Sequence, residues 1–383
     1  MQADKNTSIF LKSYDRSDWK NVRLGDIVEY SKGTGLSKEK LSDKGLYRCI
    51  LYGELFTRYK EIINTVHSKT FCLEGTPSVA GDVLLPGSTT TCGEDLAKAS
   101  SLNFEDILLG GDIIILRPKK NQVIGDFLSY LIPMYKKDML KYTQGITIIH
   151  LQGKKLLDLT ISIPPIDIQK NIVKNIQKID LLISNLEKLI SKQESIKKST
   201  INLLLKPNKD WETVKIKDVF TVTRGLVLST TEMSKHKTDK TPFPVYSSQT
   251  QNNGLIGFYS AFLYQDAITW TTDGANAGFV RFRPGKFYCT NVCGVLLSEK
   301  GHANACIATI LGSVSKKYVS YVGNPKLMNN VMAEIPISIP PIDQQKQIAQ
   351  KLSAIDEHIS NLKLQLKKQQ DLKQGLMQYF FGD

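Results

Sequence analysis

Residues 163–190 read IPPIDIQKNIVKNIQKIDLLISNLEKLI, and residues 339–366 read IPPIDQQKQIAQKLSAIDEHISNLKLQL. In the first copy the apolar side chains fall at Ile172, Ile176, Ile179, Ile183, Leu186 and Ile190, at alternating spacings of four and three. The second copy repeats them 176 positions on, at Ile348, Leu352, Ile355, Ile359, Leu362 and Leu366. That spacing is a heptad seam, the mark of helices that pair along a narrow apolar stripe. Each seam is preceded by Ile-Ser-Ile-Pro-Pro, which ends a strand because proline cannot continue the ladder. Asp167 and Asp343 then sit where a helix N-terminus favours negative charge.

Neither helix can bury its seam alone, so the simplest arrangement packs one antiparallel to the other within the chain. The alternative is a coiled coil between two chains. Each helix is expected to run about 35 to 40 residues, or roughly 50 to 60 Å. Both seams are interrupted at Gln193 and Gln369, and the apolar line is expected to resume at Ile196 and Leu372. Lys174, Lys178, Lys188, Lys192, Lys197 and Lys198 are expected on outward faces of the first helix.

A second echo precedes the helices: WKNVRLGDI from Trp19 and WETVKIKDV from Trp211. The chain therefore reads as strand, variable region and long helix, twice over. The fold class expected is α+β: two similar β-rich α/β domains separated by an antiparallel pair of long coiled-coil helices, with internal pseudo-twofold symmetry. The boundaries follow as an extension over 1–18, domains over 19–162 and 209–338, and helices over 163–208 and 339–383.

Composition narrows the partner. Fifty Lys and Arg against 37 Asp and Glu leave a formal charge of +13 over 383 residues, which favours a polyanion, with nucleic acid ahead of a membrane surface. No stretch of 18 apolar residues is present and the N-terminus lacks a signal-peptide core, so no membrane association is expected. Cys49, Cys72, Cys92, Cys289, Cys293 and Cys306 fit neither a disulfide framework nor a zinc site, which places the protein in a reducing cytoplasm.

The variable regions carry short β-like runs broken by Gly, Pro and Asn. GDVLLPGS (81–88) and GDIIILRP (111–118) read as strands, and residues 261–291 read as three or four strands with tight turns at Asp273-Gly274 and Pro284-Gly285. Trp19, Trp211 and Trp270 read as packing residues, with Tyr246 and Tyr259 beneath the loops.

Candidate DNA contacts in the first region are Lys32, Lys38, Arg48, Arg58, Lys60, Thr89, Thr90 and Thr91. In the second they are Arg224, Lys235, Lys237, Ser248, Gln249, Gln251, Asn252, Asn253, Arg281, Arg283 and Lys286. Asn and Gln can match the adenine edge, and Arg and Lys can hold guanine or phosphate. Each taken singly also reads as an ordinary surface residue.

Catalytic motifs are missing. FRPGKF around Lys286 lacks the P-loop register, and GANAG (274–278) is not G-x-G-x-x-G. Neither N-P-P-Y nor H-E-x-x-H occurs, and Asp273 has no partner group placed beside it. The chain is read as non-catalytic, with no metal or cofactor site of its own.

Several stretches together carry a family likeness. They are W-x-x-V-x-L-G-D from Trp19, YTQGITIIHLQGKKLLDLTISIPP (142–165), FPVYSSQTQNNGLIGFY (243–259), TTDGANAGFVRFRPGKFYCTN (271–291) and YVGNPKLMNNVMAEIPISIPPIDQQKQI (321–348). Over nearly its whole length the chain resembles the specificity subunits of type I restriction–modification systems. The resemblance implies two target recognition domains, each reading one half of a split sequence in double-stranded DNA. It further implies helices that set the gap and dock two methyltransferase subunits, which use S-adenosylmethionine to methylate adenine. Two restriction subunits, using ATP and Mg2+, complete the implied complex. The Glu-Gln pair common after Pro-Pro in that family is Ile168-Gln169 in the first copy here and Gln344-Gln345 in the second. A non-catalytic coiled-coil adaptor that binds only proteins is the alternative.

Overall fold

The computed structural model describes residues 16–249 and 251–382, so most of the 1–18 extension lies outside the described residues. The chain divides into two compact units, Met1–Ser184 with Lys367–Asp383, and Asn185–Leu366. The division cuts both long helices, so each unit holds one β-rich domain and a segment of each helix. Two β-rich α/β domains are thus linked by a pair of long packed helices. Among the described residues no helix is long and apolar enough to cross a membrane.

The first unit runs β1 (Lys20–Arg23), α1 (Leu24–Ile27), β2 (Val28–Lys32), β3 (Tyr47–Ile50), α2 (Tyr52–Thr57), β4 (Ile62–Ile63), β5 (Ser68–Thr70), β6 (Thr76–Pro77), β7 (Asp82–Pro86), β8 (Ser88–Thr89), β9 (Ser100–Leu102), β10 (Leu108–Leu109) and β11 (Ile113–Pro118). It continues through α3 (Gly125–Leu131), α4 (Lys136–Met139), β12 (Thr143–Gln144), β13 (Ile149–Leu151), α5 (Gly153–Leu156) and β14 (Thr160–Ile163) into α6 (Ile166–Leu204). The main sheet has the order β2-β11-β7-β9-β4, flanked by sheets β5-β3-β10-β6 and β12-β13-β8. β7 and β11 are the two runs read as strands from the sequence. Their fully buried Val83, Leu84, Leu85, Ile113, Ile114, Ile115 and Leu116 fill both faces of the sheet.

The second unit runs β15 (Glu212–Lys215), α7 (Ile216–Val219), β16 (Thr221–Arg224), β17 (Phe243–Tyr246), β18 (Leu255–Tyr259), β19 (Tyr264–Thr271), β20 (Val280–Cys289), β21 (Cys293–Leu297), α8 (Ala305–Val314), α9 (Asn329–Glu334), β22 (Pro336–Ile339) and α10 (Ile342–Phe381). Its sheet has the order β16-β21-β19-β20-β17-β18. Residues 261–291 form two strands, not three or four. Pro284-Gly285 does not turn the chain between strands. It bulges within β20 opposite Asp266, whose carboxylate accepts the Gly285 amide at 2.7 Å.

The duplication is carried into atomic detail. β1 pairs with β14 in the register Lys20↔Ile163, and β15 pairs with β22 in the register Glu212↔Ile339. Trp19 and Trp211 stand just before the first strand of each pair and pack on the cores of their units. Both indole N–H groups are buried without a hydrogen-bond partner among the described residues. Asp158 pairs with Arg23, and its counterpart Glu334 binds Lys215 and Lys217. Hydrogen bonds from those two lysines hold the Glu334 carboxyl down to about 2.

α6 and α10 span 39 and 40 residues. Their direction is fixed inside each unit. In the first, Ile172, Val173 and Ile176 from the start of α6 share a core with Phe380 and Phe381 from the end of α10. In the second, Ile348 and Leu352 from the start of α10 share a core with Ile201 and Leu204 from the end of α6. The pairing is therefore antiparallel. Of the seam residues, Ile172, Ile176, Ile179, Ile183, Ile190, Ile348, Leu352, Ile359 and Leu362 are buried, while Leu186, Ile355 and Leu366 are half-buried.

The seam does not resume where the sequence suggested. Ile196 is 42% exposed and Leu372 is 38% exposed. The heptad phase instead continues through Gln193 and Lys197, and through Gln369 and Lys373, all half-buried. Lys197 pairs with Asp356 on the facing helix. Its counterpart Lys373 contacts Asp180 at 2.7 Å and Glu61 at 3.2 Å. Burial pulls the Lys373 ammonium down, but the two carboxylates outweigh it and leave its pKa raised.

Gln169 and Gln345, the surviving half of the family's Glu-Gln pair, are fully buried one turn into their helices. Gln169 donates to the Pro164 carbonyl at 2.9 Å and accepts from the Ile124 amide at 3.0 Å. Gln345 donates to the Pro340 carbonyl at 2.7 Å and accepts from Asn304 at 3.0 Å. Each side chain ties its helix to the strand before it and to the domain beside it.

Three substitution classes separate these roles in urea unfolding. Ile172→Ala or Ile348→Ala will cost about 2 to 5 kcal/mol, because a buried seam position becomes a cavity. Gln169→Ala or Gln345→Ala will cost roughly 1 to 3 kcal/mol through orphaned buried partners. Ile196→Ala and Leu372→Ala will cost less than about 1 kcal/mol, as half-exposed side chains lose little transfer energy.

Candidate nucleic-acid interface

In the second unit residues 247–249 and 251–254 of the polar run lie between β17 and β18. Asn252 and Asn253 adopt left-handed backbone angles, φ 47° and 56°, which Asn tolerates better than most residues. The loop is closed by the Ser247 amide donating to the Gly254 carbonyl at 2.9 Å and by the Gln249 side chain donating to the Leu255 carbonyl at 2.8 Å. Ser248 is half-buried and its carbonyl accepts from the Thr271 hydroxyl at 3.4 Å. Asn252 and Asn253 are exposed.

Arg283 on β20 stands behind this loop, only 7% exposed. It donates to the Asn253 carbonyl at 2.7 Å and to the Thr269 hydroxyl at 3.1 Å, and lies 3.8 Å from the Tyr246 ring centroid. Burial pushes the guanidinium down to about 10, which leaves it charged at neutral pH. Its place in the molecule is loop support, a role that composition alone did not distinguish from base contact.

The other basic candidates of this unit divide similarly. Arg281 is half-buried against the Phe279 ring, and burial lowers its pKa. Arg224 donates twice to the Asn291 carbonyl, at 2.6 and 3.1 Å, and fixes the turn before β21. Lys286 is exposed, with its ammonium 4.6 Å from the Phe262 ring centroid. Lys235 and Lys237 are exposed on the segment between β16 and β17.

In the first unit the candidates fall in two places. Lys32, at the end of β2, lies 3.7 Å from Asp112, which also accepts the Ser88 hydroxyl. Thr89 is 8% exposed and bonds Thr91 at 2.8 Å, while Thr91 bonds Asp95. Thr90 and Thr91 are exposed at the tip of that turn. These groups form one polar edge with β13, whose Ile149 and His150 pair with Thr89 and Ser88.

The second place is the small sheet containing β3. Arg48 is exposed and directly opposite Lys69 on β5, beside exposed Tyr47. Two like charges across a strand pair repel each other, so this surface is better suited to an anion than to water alone. Lys38 and Arg58 line a cavity of about 660 Å³ with Leu51, Tyr52 and Ser68. Arg58 is engaged by Glu54 at 3.1 Å and by Ser68 at 3.3 Å. Lys60 is exposed just before β4, and its carbonyl accepts the Ser100 hydroxyl at 2.8 Å.

Among the described residues no group of three or more His, Cys, Asp or Glu is arranged to hold a metal. The six cysteines are free. Burial raises the Cys49 and Cys293 thiols to about 11 and Cys306 to about 12.

A paired apolar feature lies outside these polar and basic candidates. In the first unit the β12–β13 hairpin carries Ile146, 98% exposed; in the second, the loop between Ser320 and Lys326 carries Val322, 92% exposed. Their signal was the gapless alignment of residues 141–165 with 317–341, which places the two side chains at one position.

The support role of Arg283 sets a test. Arg283→Lys keeps the charge but loses the planar stack and one of the two donor directions, so the second unit will lose about 1 to 2 kcal/mol in urea unfolding. Lys235→Ala and Lys237→Ala will change stability by less than about 0.5 kcal/mol in the same measurement.

Comparison with known proteins agrees with the duplicated plan. The family model for the type I restriction modification DNA specificity domain matches residues 16–197 and again 208–370. A Mycoplasma pneumoniae protein named "Putative type I specificity subunit S.MpnORF507P" is 39% identical over 161 residues, 41% of this chain and 43% of that protein. The type I restriction enzyme MpnII specificity subunit of the same organism is 31% identical over 191 residues, 49% of this chain and 55% of that one. The matched stretches thus span about half the length of these relatives. The crystal structure of the type I restriction–modification system S subunit from M. genitalium superposes with a TM-score of 0.73 over 97% of this chain and 98% of that one, at 15% identity. That superposition shows a shared fold, and the two consecutive family-model matches show that the chain belongs to the type I restriction modification DNA specificity family.

Proposed function

We propose that this chain is the sequence-specific DNA-binding specificity subunit of a type I restriction–modification complex. The target recognition domains cover 19–162 and 209–338, and each reads one half of a split duplex sequence. α6 and α10 set the gap between the halves and dock two adenine methyltransferase subunits. Those subunits bring S-adenosylmethionine, and two restriction subunits bring ATP and Mg2+. This chain contributes recognition and assembly and carries out no bond chemistry. The complex works in the cytoplasm, where six free thiols stay reduced.

One observation carries the reading: an identical frame encloses unlike contents. The strand pairs β1–β14 and β15–β22, the buried glutamines and the Lys-Asp helix ties recur at matching positions. The segments between differ, with a Ser-Thr turn at 88–91 in one and the Asn-Asn loop at 252–253 in the other. A constant frame is what symmetric partner subunits require, and differing contents are what two different half-sites require. The net charge of +13 suits the duplex backbone.

Methyladenine mapping in cells tests this. With residues 19–160 replaced by the equivalent module of a relative, one half of the methylated motif will change and the other will stay. A change in both halves, or an uninterrupted motif, would refute independent reading. Inserting one heptad in each of α6 and α10 adds about 10 Å of rise, so the gap will widen by about three base pairs with both halves kept. An unchanged gap would remove the spacing role.

A further inference from the structure

Ile146 and Val322 are equivalent by the 176-residue repeat and are almost wholly exposed. An aliphatic residue at a loop tip is unusual, since Gly, Asn, Asp and Ser serve turns better. Here it occurs twice, at one place, on loops of different sequence. The first reads Gly145-Ile146-Thr147-Ile148 and the second Tyr321-Val322-Gly323-Asn324-Pro325.

Both tips are braced. Gly145 has φ 122° and lies so close to the Ile148 carbonyl that a Cβ there would meet the oxygen at 2.0 Å. In the second loop, Ser320 and Lys326 exchange backbone hydrogen bonds of 2.8 and 2.9 Å, and the Gly274 amide donates to the Pro325 carbonyl at 2.9 Å. Each hairpin is also laddered to a polar turn: Ile149↔Thr89 in the first unit and Lys326↔Asp273 in the second. Apolar neighbours extend each tip, with Ile148 49% and Tyr321 70% exposed.

The stems are basic. Lys154 and Lys155 are exposed just after the first hairpin, and Lys316, Lys317 and Lys326 are exposed around the second loop, while Lys141 pairs with Asp138 and Lys326 forms a β-bridge with Asp273. A braced apolar tip flanked by exposed lysines complements a ligand that is anionic outside and apolar within. A DNA duplex has that construction, with phosphates flanking stacked bases. Aliphatic wedges inserted between base steps unstack and kink a duplex. A hydrophobic pocket on another protein would match the tip but leave the exposed lysines on both sides without a counter-charge.

Resting on the DNA reading proposed above, we infer that Ile146 and Val322 are paired wedges, each entering a base step in the half-site read by its own domain. The tip and the polar turn beside it then form one device. The wedge opens the step, and the hydroxyl or amide groups of the turn meet the exposed base edges.

The test uses the chain assembled with its methyltransferase subunits and a duplex carrying the mapped motif, with 2-aminopurine replacing in turn each adenine except the methylated ones, whose flipping by the methyltransferases would itself raise the signal. Fluorescence is expected to rise several-fold at one step in each half on binding. Ile146→Ala will abolish the rise in one half only, and Val322→Ala in the other only. Ile146→Val and Val322→Ile will retain it. A rise that survives both alanine variants, or no rise in the parent complex, overturns the wedge. So does loss of the methyltransferase subunits from either variant on gel filtration, which would make the tip a protein contact. If the parent complex does not retain the mapped duplex over a scrambled one, the DNA reading itself fails. Retention without unstacking removes the wedge alone.

Discussion

The burial of two heptad seams against each other is the constraint on which the rest of this protein depends. A single helix with a narrow apolar stripe has no stable place in water, and helices of this length draw most of their stability from packing. The seams are satisfied by one another in antiparallel order, so each helix start meets a helix end. Every domain contact with the helices inherits that order. The paired Lys-Asp ties at Lys197–Asp356 and Asp180–Lys373 reinforce it, because sliding one helix by a turn would strand both charges. A polar pair in an otherwise apolar seam is the established means of fixing register.

The same ties explain where sequence reading failed. A search for apolar residues after Ile190 moves to Ile196, six positions on, which leaves the heptad phase. The phase itself runs to Gln193 and Lys197. A lysine can occupy such a position because its stem covers apolar surface while its ammonium reaches a carboxylate. The carboxylate comes from the facing helix, more than a hundred residues away in sequence, so no local pattern announces it. The seam, the strands β7 and β11 and the duplicated frame were legible because periodicity and repetition are local properties. The bulge at Pro284-Gly285 was not legible. A Pro-Gly pair signals a turn, and only the opposing Asp266, with φ 47°, reveals that the strand resumes.

The candidate interface was legible in composition but not in placement. Arg283 and Lys235 look alike as positive charges beside a polar loop. The structure buries one behind Asn253 and leaves the other exposed. Their difference arises from β20, which alternates Arg281, Phe282 and Arg283 across the sheet and sends Arg283 over the Tyr246 ring. Thr89 and Thr90 diverge for the same reason: the pleat at the end of β8 turns one inward and its neighbour out.

Duplication also sets what can vary. Gln169 and Gln345 satisfy the proline carbonyl at each strand end with the same amide group, yet their oxygens accept from different donors, a backbone amide in one unit and Asn304 in the other. The repeated half of each contact belongs to the frame, and the other half belongs to the domain it encloses. Substitutions in the domain therefore need preserve only one donor at that point to remain compatible with the helix. A recognition domain attached through a few such contacts can change its loops widely while the helix pair, and whatever docks on it, meets the same surface.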